Sequence, residues 1–331
     1  MYLNKVTILG AGNMGTGLAH LIAGNGYPVT LWTIEADVAR DINRKHLNQK
    51  YLPGIKLPLA VRAGTDLKSA LKDSEVVVIA VPTQAVAAVM KQAAAYLPPK
   101  AIILSTAKGL ELKTGKTVSQ IIKNIAPRRL HKNLAVLMGP LFAIEIAKER
   151  PSVGLLATKD KKVFDFLKKI LDNNYFFTRW SNDVVGAELA GALKNVYAIL
   201  MGVCDGLGYG WNTKSATITG AVRELAAAGE LLGAKKETMY GLAGLGDLLT
   251  TGFGETSRNR RFGEMICVEK SVDAALKKIG QVVEGAKTVE IAIKLFRKYK
   301  KQTPLLHATY DMIHKKTNPC AVFQEILKND I

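Results

Sequence analysis

Cysteine and histidine are scarce in this chain of 331 residues. Its three cysteines, Cys204, Cys267 and Cys320, lie far apart, and its five histidines are scattered. This content excludes a disulfide framework and provides no closely spaced set of zinc ligands. We therefore expect a protein of a reducing compartment that holds no metal.

Long apolar runs are also missing. We find no apolar run of the roughly 20 residues that a membrane-spanning helix needs, and the first predicted strand begins almost at Met1, a start unlike that of a signal peptide. These two features predict a cytoplasmic protein without a transmembrane segment.

Acidic residues are in the minority, with 28 against 46 basic residues and a formal net charge of +18. Such an excess is compatible with nucleic-acid binding or with anionic small molecules. The basic residues are spread over predicted helices, as at Lys161-Lys162 and Lys168-Lys169, and few aromatic residues interleave with them. This distribution favours an anionic substrate and cofactor, without specific nucleic-acid recognition.

A glycine motif follows the first apolar run. Val6 to Leu9 lead into Gly10, Gly12 and Gly15, spaced as Gly-x-Gly-x-x-Gly, and a predicted helix comes next. In a βαβ unit these glycines permit a tight turn, a close approach to a pyrophosphate and close helix packing. The N-terminus of the helix also favours anions. The motif predicts a dinucleotide site, and a plain glycine turn in an α/β protein is the alternative.

Glu35 bears on the choice between NAD and NADP. It lies 20 residues after Gly15, at the end of the second predicted strand. An acidic residue there binds the ribose 2′-hydroxyl of NAD, whereas an arginine suits the 2′-phosphate of NADP. Arg40 lies further on, in the next helix. The sequence leans toward NAD, although Glu35 is equally compatible with a solvated helix start.

The pattern of elements changes once along the chain. Strands and helices alternate at first, which predicts a doubly wound parallel sheet, and Lys108 and Gly139 follow strands at the edge where ligands bind. From about Asn182 helical periodicity takes over. We therefore predict an α/β protein, with a Rossmann-type sheet in residues 1–181 and an all-α domain in residues 182–331.

Three residues of the helical part are candidates for chemistry. Lys194 lies in an otherwise apolar helix, where burial would lower its pKa toward the range useful for proton transfer, unless it snorkels to the surface. Asp247 follows a glycine-rich stretch, where it either caps a helix or orients a lysine. Arg258 opens an arginine-rich stretch that suits a phosphate or is a solvated basic loop.

Many short motifs occur in a fixed order: Gly10 to Gly15, Tyr51-Leu52-Pro53-Gly54, Val81-Pro82, Lys108 to Glu111, Gly139 to Glu145, Gly191 to Asn195, Asp205 to Gly208, Asn212-Thr213-Lys214, Gly241 to Leu248, Ser257 to Arg260 and Val282 to Gly285. Over nearly the whole chain they resemble the NAD(P)-dependent glycerol-3-phosphate dehydrogenase family. The resemblance implies a homodimer that interconverts sn-glycerol 3-phosphate and dihydroxyacetone phosphate and supplies glycerol 3-phosphate for phospholipid synthesis.

The resemblance also implies roles for individual residues. Lys194 would accept or donate the proton, with Asp247 and Lys108 as its catalytic partners. The implied substrate contacts are Lys108, Gly139, Leu141, Lys194, Asp247, Ser257, Arg258 and Asn259. The implied cofactor contacts are Gly10, Gly12, Asn13, Met14, Gly15, Lys108, Ala143, Arg258, Val282 and Glu284.

Two positions depart from the family pattern. Leu141 stands where a small polar residue is usual, and Gly220 stands where an arginine is usual. Arg223, three residues later, is a hypothetical substitute for that arginine. The departures leave open a related hydroxy-acid or phosphorylated-polyol dehydrogenase, and a non-catalytic dinucleotide sensor is a second alternative.

Overall fold

A computed structural model describes residues 4–280, 282–297 and 303–329. The chain forms two compact units, of which the first comprises residues 4–108 and 118–184. The second comprises residues 109–117 and the described residues from 185 onward. The sequence-based division puts Gly109–Thr117 within the first domain, but in the structure Gly115 lies beside Ile291 and Leu295 of the second unit.

The first unit is built of alternating strands and helices. Its strands are β1 (Val6–Leu9), β2 (Val29–Trp32), β3 (Leu47–Asn48), β4 (Leu52–Lys56), β5 (Val61–Gly64), β6 (Val76–Ile79), β7 (Ile102–Ser105), β8 (Leu134–Met138), β9 (Ser152–Thr158) and β10 (Phe176–Ser181). Its helices are α1 (Asn13–Gly24), α2 (Ala36–Lys45), α3 (Leu67–Leu71), α4 (Thr83–Ala93), α5 (Val118–Ile125), α6 (Ala143–Ala147) and α7 (Lys161–Leu171).

Eight of these strands form one sheet, in the order β10-β9-β8-β7-β6-β1-β2-β5. All neighbours are parallel except β8 and β9, which are antiparallel. The α/β fold is thus confirmed, with one correction to the expectation of a parallel sheet. Between β8 and β9 the short α6 packs on α1, so the chain re-enters the sheet from the edge it has just left.

The central strands are buried on both faces. Along β1, Val6 and Ile8 belong to one hydrophobic cluster and Leu9 to another, and β6 divides in the same way. A parallel sheet covered on both sides needs apolar residues at consecutive positions. This requirement explains the apolar runs that made both strands recognisable in the sequence.

The second unit is helical, as predicted. Its helices are α8 (Val184–Gly206), which begins at the unit boundary, α9 (Trp211–Leu231), α10 (Lys236–Tyr240), α11 (Asp247–Phe253), α12 (Arg258–Glu269), α13 (Val272–Ile279), α14 (Glu284–Phe296), α15 (Pro304–His314) and α16 (Pro319–Asn329). A π-helical turn, Leu242–Gly246, leads directly into α11. The glycine-rich stretch before Asp247 is therefore helical, and Gly244 in it lies tightly against the backbone of Met239.

Helix α8 is the core helix of this unit. Contrary to the expectation that no apolar run is long enough, α8 could cross a membrane by length and composition alone. However, 94% of its most apolar window is buried inside the protein. A helix buried in the core of a globular protein has the same composition, so the apolar character of α8 is explained by its packing.

Glycines let α8 and α12 come into backbone contact. A Cβ atom on Gly202 would lie 1.7 Å from the carbonyl oxygen of Arg260, and one on Gly263 would lie 2.0 Å from that of Ile199. Real Cβ atoms do not approach oxygen so closely, so larger residues would force the helices apart. The crossing fixes the N-terminal end of α12 relative to the middle of α8.

We expect Gly263→Ala to lower the free energy of unfolding by about 1–3 kcal/mol or more, because its methyl group would meet the backbone of α8. The matched control is Gly24→Ala at the exposed end of α1, where an added Cβ would meet no atom of the described part of the chain within 4 Å. The control should be neutral or slightly stabilising. Urea denaturation of both variants measures the difference, and equal stabilities would contradict the packing argument.

Candidate active site

The glycine motif of the first unit has the geometry of a phosphate cradle. Gly10 has φ +114°, and a Cβ there would lie 2.9 Å from the backbone of Ala80. A Cβ on Gly15 would lie 1.9 Å from the carbonyl oxygen of Gly10. A Cβ on Gly12, in contrast, would come within 4 Å of none of the residues that the structure describes. The fold itself demands the first and third glycines, while the second faces open space, as a bound pyrophosphate requires.

Other residues around the motif also suit a bound dinucleotide. Asn13 is exposed at the first position of α1, and Met14 is partly buried against the core. Ala143, at the start of α6, lies against Gly17, where a Cβ would come within 3.0 Å of the Ala143 carbonyl oxygen. Thr83, at the start of α4, has a buried hydroxyl that bonds to no residue the structure describes. Sequence reasoning missed Thr83, whose orphaned oxygen is visible only in the fold.

Lys108 and Gly139 meet at the carboxyl edge of the sheet. They follow the neighbouring strands β7 and β8, and the Lys108 Nζ donates to the Gly139 carbonyl oxygen at 3.0 Å. Leu141 behaves differently, because its side chain is 6% exposed and belongs to the hydrophobic core. The packing of Leu141 therefore does not support its predicted contact with the substrate.

In the second unit, Lys194 and Asp247 form a buried ion pair. The Lys194 Nζ lies 2.9 Å from Asp247 Oδ1, and the two side chains are 6% and 3% exposed. Lys194 therefore does not snorkel to the surface, and its ammonium group pairs with Asp247 in the first turn of α11. Because charges buried without partners are costly, this pairing stabilises an ammonium group in an apolar setting.

Thr251 completes the cluster around the ammonium group. Lys194 Nζ also contacts the Thr251 hydroxyl, which lies 3.4 Å from Asp247 Oδ1. Asp247 and Thr251 are four residues apart, so α11 presents both on one face. That spacing is a weak pattern in sequence alone, and sequence reasoning assigned Thr251 no role.

Asn259 braces three helices. Its side-chain nitrogen donates to Asn195 Oδ1 at 2.9 Å, and its oxygen accepts from the backbone nitrogen of Gly285 at 2.9 Å. Gly285 is required here, because a Cβ would lie 2.3 Å from the carbonyl oxygen of Asn195. These bonds join α8, α12 and α14. Both polar atoms of the Asn259 side chain therefore already bond within the protein, and a contact with the substrate would come in addition to these bonds.

The arginines at the start of α12 differ in their surroundings. Ser257 is the N-cap of α12, and its hydroxyl accepts from the Arg260 backbone nitrogen. Arg260 Nε donates to Asp205 Oδ2 at 2.6 Å, and Asp205 also pairs with Lys214. Arg258 is exposed, whereas Arg260 is half-buried. The structure thus favours Arg258 over Arg260 as the group that meets an anionic ligand.

The remaining predicted residues lie on the same unit. Val282 is 46% exposed and Glu284 is the first residue of α14. Gly220 is buried in α9, whereas Arg223 is exposed. An exposed Arg223 does not occupy the buried position of Gly220, so the proposed substitution finds no support in the burial pattern and stays a prediction.

Comparison with known proteins agrees with this geometry. The family models described as the N-terminus and C-terminus of NAD-dependent glycerol-3-phosphate dehydrogenase match residues 5–164 and 183–324. Glycerol-3-phosphate dehydrogenase (NAD(P)+) of Leptospira biflexa serovar Patoc is 38% identical over 99% of this chain and 98% of its own. That of Bacillus subtilis (strain 168) is 35% identical over 94% and 90%.

A solved structure extends the similarity to three dimensions. The crystal structure of glycerol-3-phosphate dehydrogenase from Coxiella burnetii superposes with a TM-score of 0.92 at 32% identity, covering 99% of this chain and 100% of that one. The resemblance seen in the motifs is thereby confirmed. The chain is an oxidoreductase that uses NAD or NADP, and it belongs to the NAD-dependent glycerol-3-phosphate dehydrogenase family.

Proposed function

We propose that this enzyme interconverts sn-glycerol 3-phosphate and dihydroxyacetone phosphate. The observation that carries the proposal is the buried Lys194–Asp247 pair in a chain whose relatives are named for this activity. A regulator that only senses a dinucleotide has no need of an ammonium group held in an apolar setting. The pair therefore favours catalysis over the sensor alternative.

Lys194 is proposed to hold and transfer the proton at the C2 oxygen of the substrate. A bound nicotinamide supplies or accepts the hydride at C2. Asp247 and Thr251 both contact the ammonium group and hold it in position. A positioned general acid of this kind contributes about 100- to 10,000-fold to a rate.

Arg258 is proposed to bind the phosphate of the substrate. A guanidinium group matches phosphate oxygens with paired hydrogen bonds, and binding energy at this end of the substrate orients the reacting carbon. Ser257 and Asn259 support it, since one caps α12 and the other ties α12 to α8. Lys108 and Gly139 are further proposed contacts.

We propose that the dinucleotide is held by the glycine motif together with Asn13, Met14, Ala143, Val282 and Glu284.

The domain boundary after residue 181 is likewise a proposal. The cytoplasmic location is also a proposal and rests on the cysteine content and the apolar pattern of the sequence. The homodimer and the role in phospholipid synthesis are proposals that rest on the family resemblance alone. Light scattering of the purified protein tests the dimer, with about twice the 35.8 kDa mass of one chain as the expected result.

The first prediction concerns the reaction itself. Purified enzyme with dihydroxyacetone phosphate should oxidise both NADH and NADPH, followed as loss of absorbance at 340 nm. A panel of 2-keto acids and other phosphorylated ketones should react at least about 100-fold more slowly, because they lack either the phosphate or the three-carbon spacing. Preference for any of those compounds would favour the alternative of a related dehydrogenase.

The second prediction separates phosphate binding from cofactor binding. Arg258→Ala should raise KM for dihydroxyacetone phosphate at least about tenfold, because it removes a charge-assisted contact with the phosphate. The Kd for NADH should change far less. Arg261→Ala, which removes another exposed arginine of α12, is the control and should leave KM unchanged. Equal losses in the two variants would contradict an anchoring role for Arg258.

The third prediction concerns Thr251 as a positioning residue. Thr251→Val keeps the volume but removes the hydroxyl beside the Lys194 ammonium group, so kcat should fall about tenfold with little change in KM. Thr251→Ser should restore kcat. The control is Thr250→Val, because the Thr250 hydroxyl donates to the backbone carbonyl oxygen of Gly246, in the π-helical turn that precedes α11. A loss shared equally by Thr250→Val would show that only helix stability was affected.

A further inference from the structure

A charged cluster lies at the end of β2, where Glu35, the residue that bears on the choice between NAD and NADP, meets two side chains with no role assigned above. The Glu35 carboxylate accepts hydrogen bonds from the Lys50 ammonium group and, at 2.7 Å, from the Tyr51 hydroxyl. Glu35 is the N-cap residue of α2, although its side chain makes no capping bond. Its side chain is therefore directed to Lys50 and Tyr51, which come from the segment between β3 and β4.

This cluster borders the glycine motif. The Gly10 backbone nitrogen donates to the Trp32 carbonyl oxygen at 2.9 Å, which joins the ends of β1 and β2. The Asn48 amide donates to Ala11 O and Thr16 Oγ1, each at 2.8 Å, and its oxygen accepts from the Tyr51 backbone nitrogen at 3.3 Å. The buried Asn48 thus anchors the segment that carries Lys50 and Tyr51 to the cradle.

The charges of the cluster are balanced but accessible. Hydrogen bonds from Lys50 and Tyr51 lower the pKa of Glu35, although nearby Asp37 acts in the opposite direction. The side chains of Lys50 and Glu35 are 53% and 25% exposed. An ionised carboxylate and an ammonium group therefore face solvent together, next to the place where the dinucleotide is proposed to bind.

We propose that Lys50 and Glu35 together recognise the substituent at the 2′ position of the adenosine ribose. Lys50 binds a 2′-phosphate, and Glu35 binds a 2′-hydroxyl. This inference rests on the proposed use of a dinucleotide at the glycine motif. A carboxylate alone at the end of β2 accepts a 2′-hydroxyl and repels a 2′-phosphate. Lys50 offsets that repulsion, because its exposed ammonium group can turn from the carboxylate to the phosphate.

The arrangement therefore admits both cofactors. With a 2′-hydroxyl, the Lys50–Glu35 pair stays intact, since a carboxylate has about four acceptor sites and the pair and Tyr51 use two of them. With a 2′-phosphate, Lys50 exchanges one anion for another while Tyr51 continues to bond Glu35. Removing either charged residue should shift the preference, and in opposite directions.

The test uses two ligands that differ only at the 2′ position, ADP-ribose and 2′-phospho-ADP-ribose, titrated calorimetrically into the full-length enzyme. The wild type should bind both, with Kd values within about tenfold of each other. Lys50→Met keeps the apolar stem but removes the charge, and it should weaken only 2′-phospho-ADP-ribose, by about tenfold or more. Lys50→Arg should retain that binding.

Two further variants complete the design. Glu35→Gln should tighten 2′-phospho-ADP-ribose several-fold and weaken ADP-ribose. Lys45→Met is the control, because Lys45 is an exposed lysine of the same unit, paired with Asp41 on α2. It should change neither Kd. A thermal melt of each variant verifies that it is folded. Because the Lys50 side chain is exposed, we expect its replacement to leave the fold intact.

The outcomes decide the proposal without reference to the reaction. Equal changes for both ligands in Lys50→Met, or no change for either, would overturn the role of Lys50. A wild type that binds ADP-ribose but not 2′-phospho-ADP-ribose would also overturn it. Because no substrate is present, failure to reduce dihydroxyacetone phosphate would refute the proposed function and leave these binding results standing.

Discussion

The ion pair between Lys194 and Asp247 is the interaction on which the proposed chemistry of the helical unit depends. Two charges with almost no exposure are tolerated only where each finds a partner and the surrounding structure holds them in place. Here the surroundings are closely packed, because Gly202 and Gly263 bring the backbones of α8 and α12 together. The Asn259 amide then joins α12 to α8 and α14. The unit holds one ammonium group in a fixed direction.

In the sheet unit, burial restricts where polar groups can lie. Its central strands are buried on both faces, so polar function is confined to the carboxyl ends of the strands. There the chain must turn within a few atoms of its own backbone, which explains the glycines at positions 10 and 15. The buried Asn48 uses its amide to hold the next segment against the same turn. One turn thus organises both the cradle and the neighbouring charges.

Much of this could be predicted from the sequence, where a local pattern determines the outcome. The run that became β1 is apolar because both faces of the strand are covered, and the helical periodicity after Asn182 predicted the helical unit. The motifs around Lys194 and Asp247 singled out both residues, and the structure brings their side chains into contact.

The remainder depends on contacts between distant residues. The polar residues of β10 gave no clear strand pattern, and the antiparallel entry of β9 depends on α6 packing against α1. Leu141 follows a motif glycine, yet its side chain fills the core beneath Gly154. Thr251 and Asn259 acquire their partners only when α8, α11 and α12 are assembled. No local pattern contains that information.

Turnover of dihydroxyacetone phosphate by Lys194→Ala tests the role of the lysine most sharply. We expect kcat to fall about 100- to 10,000-fold while the Kd for NADH is unchanged. Added methylamine should restore part of the rate by replacing the missing amine. Turnover within a few-fold of the wild type would contradict the central claim that Lys194 transfers the proton.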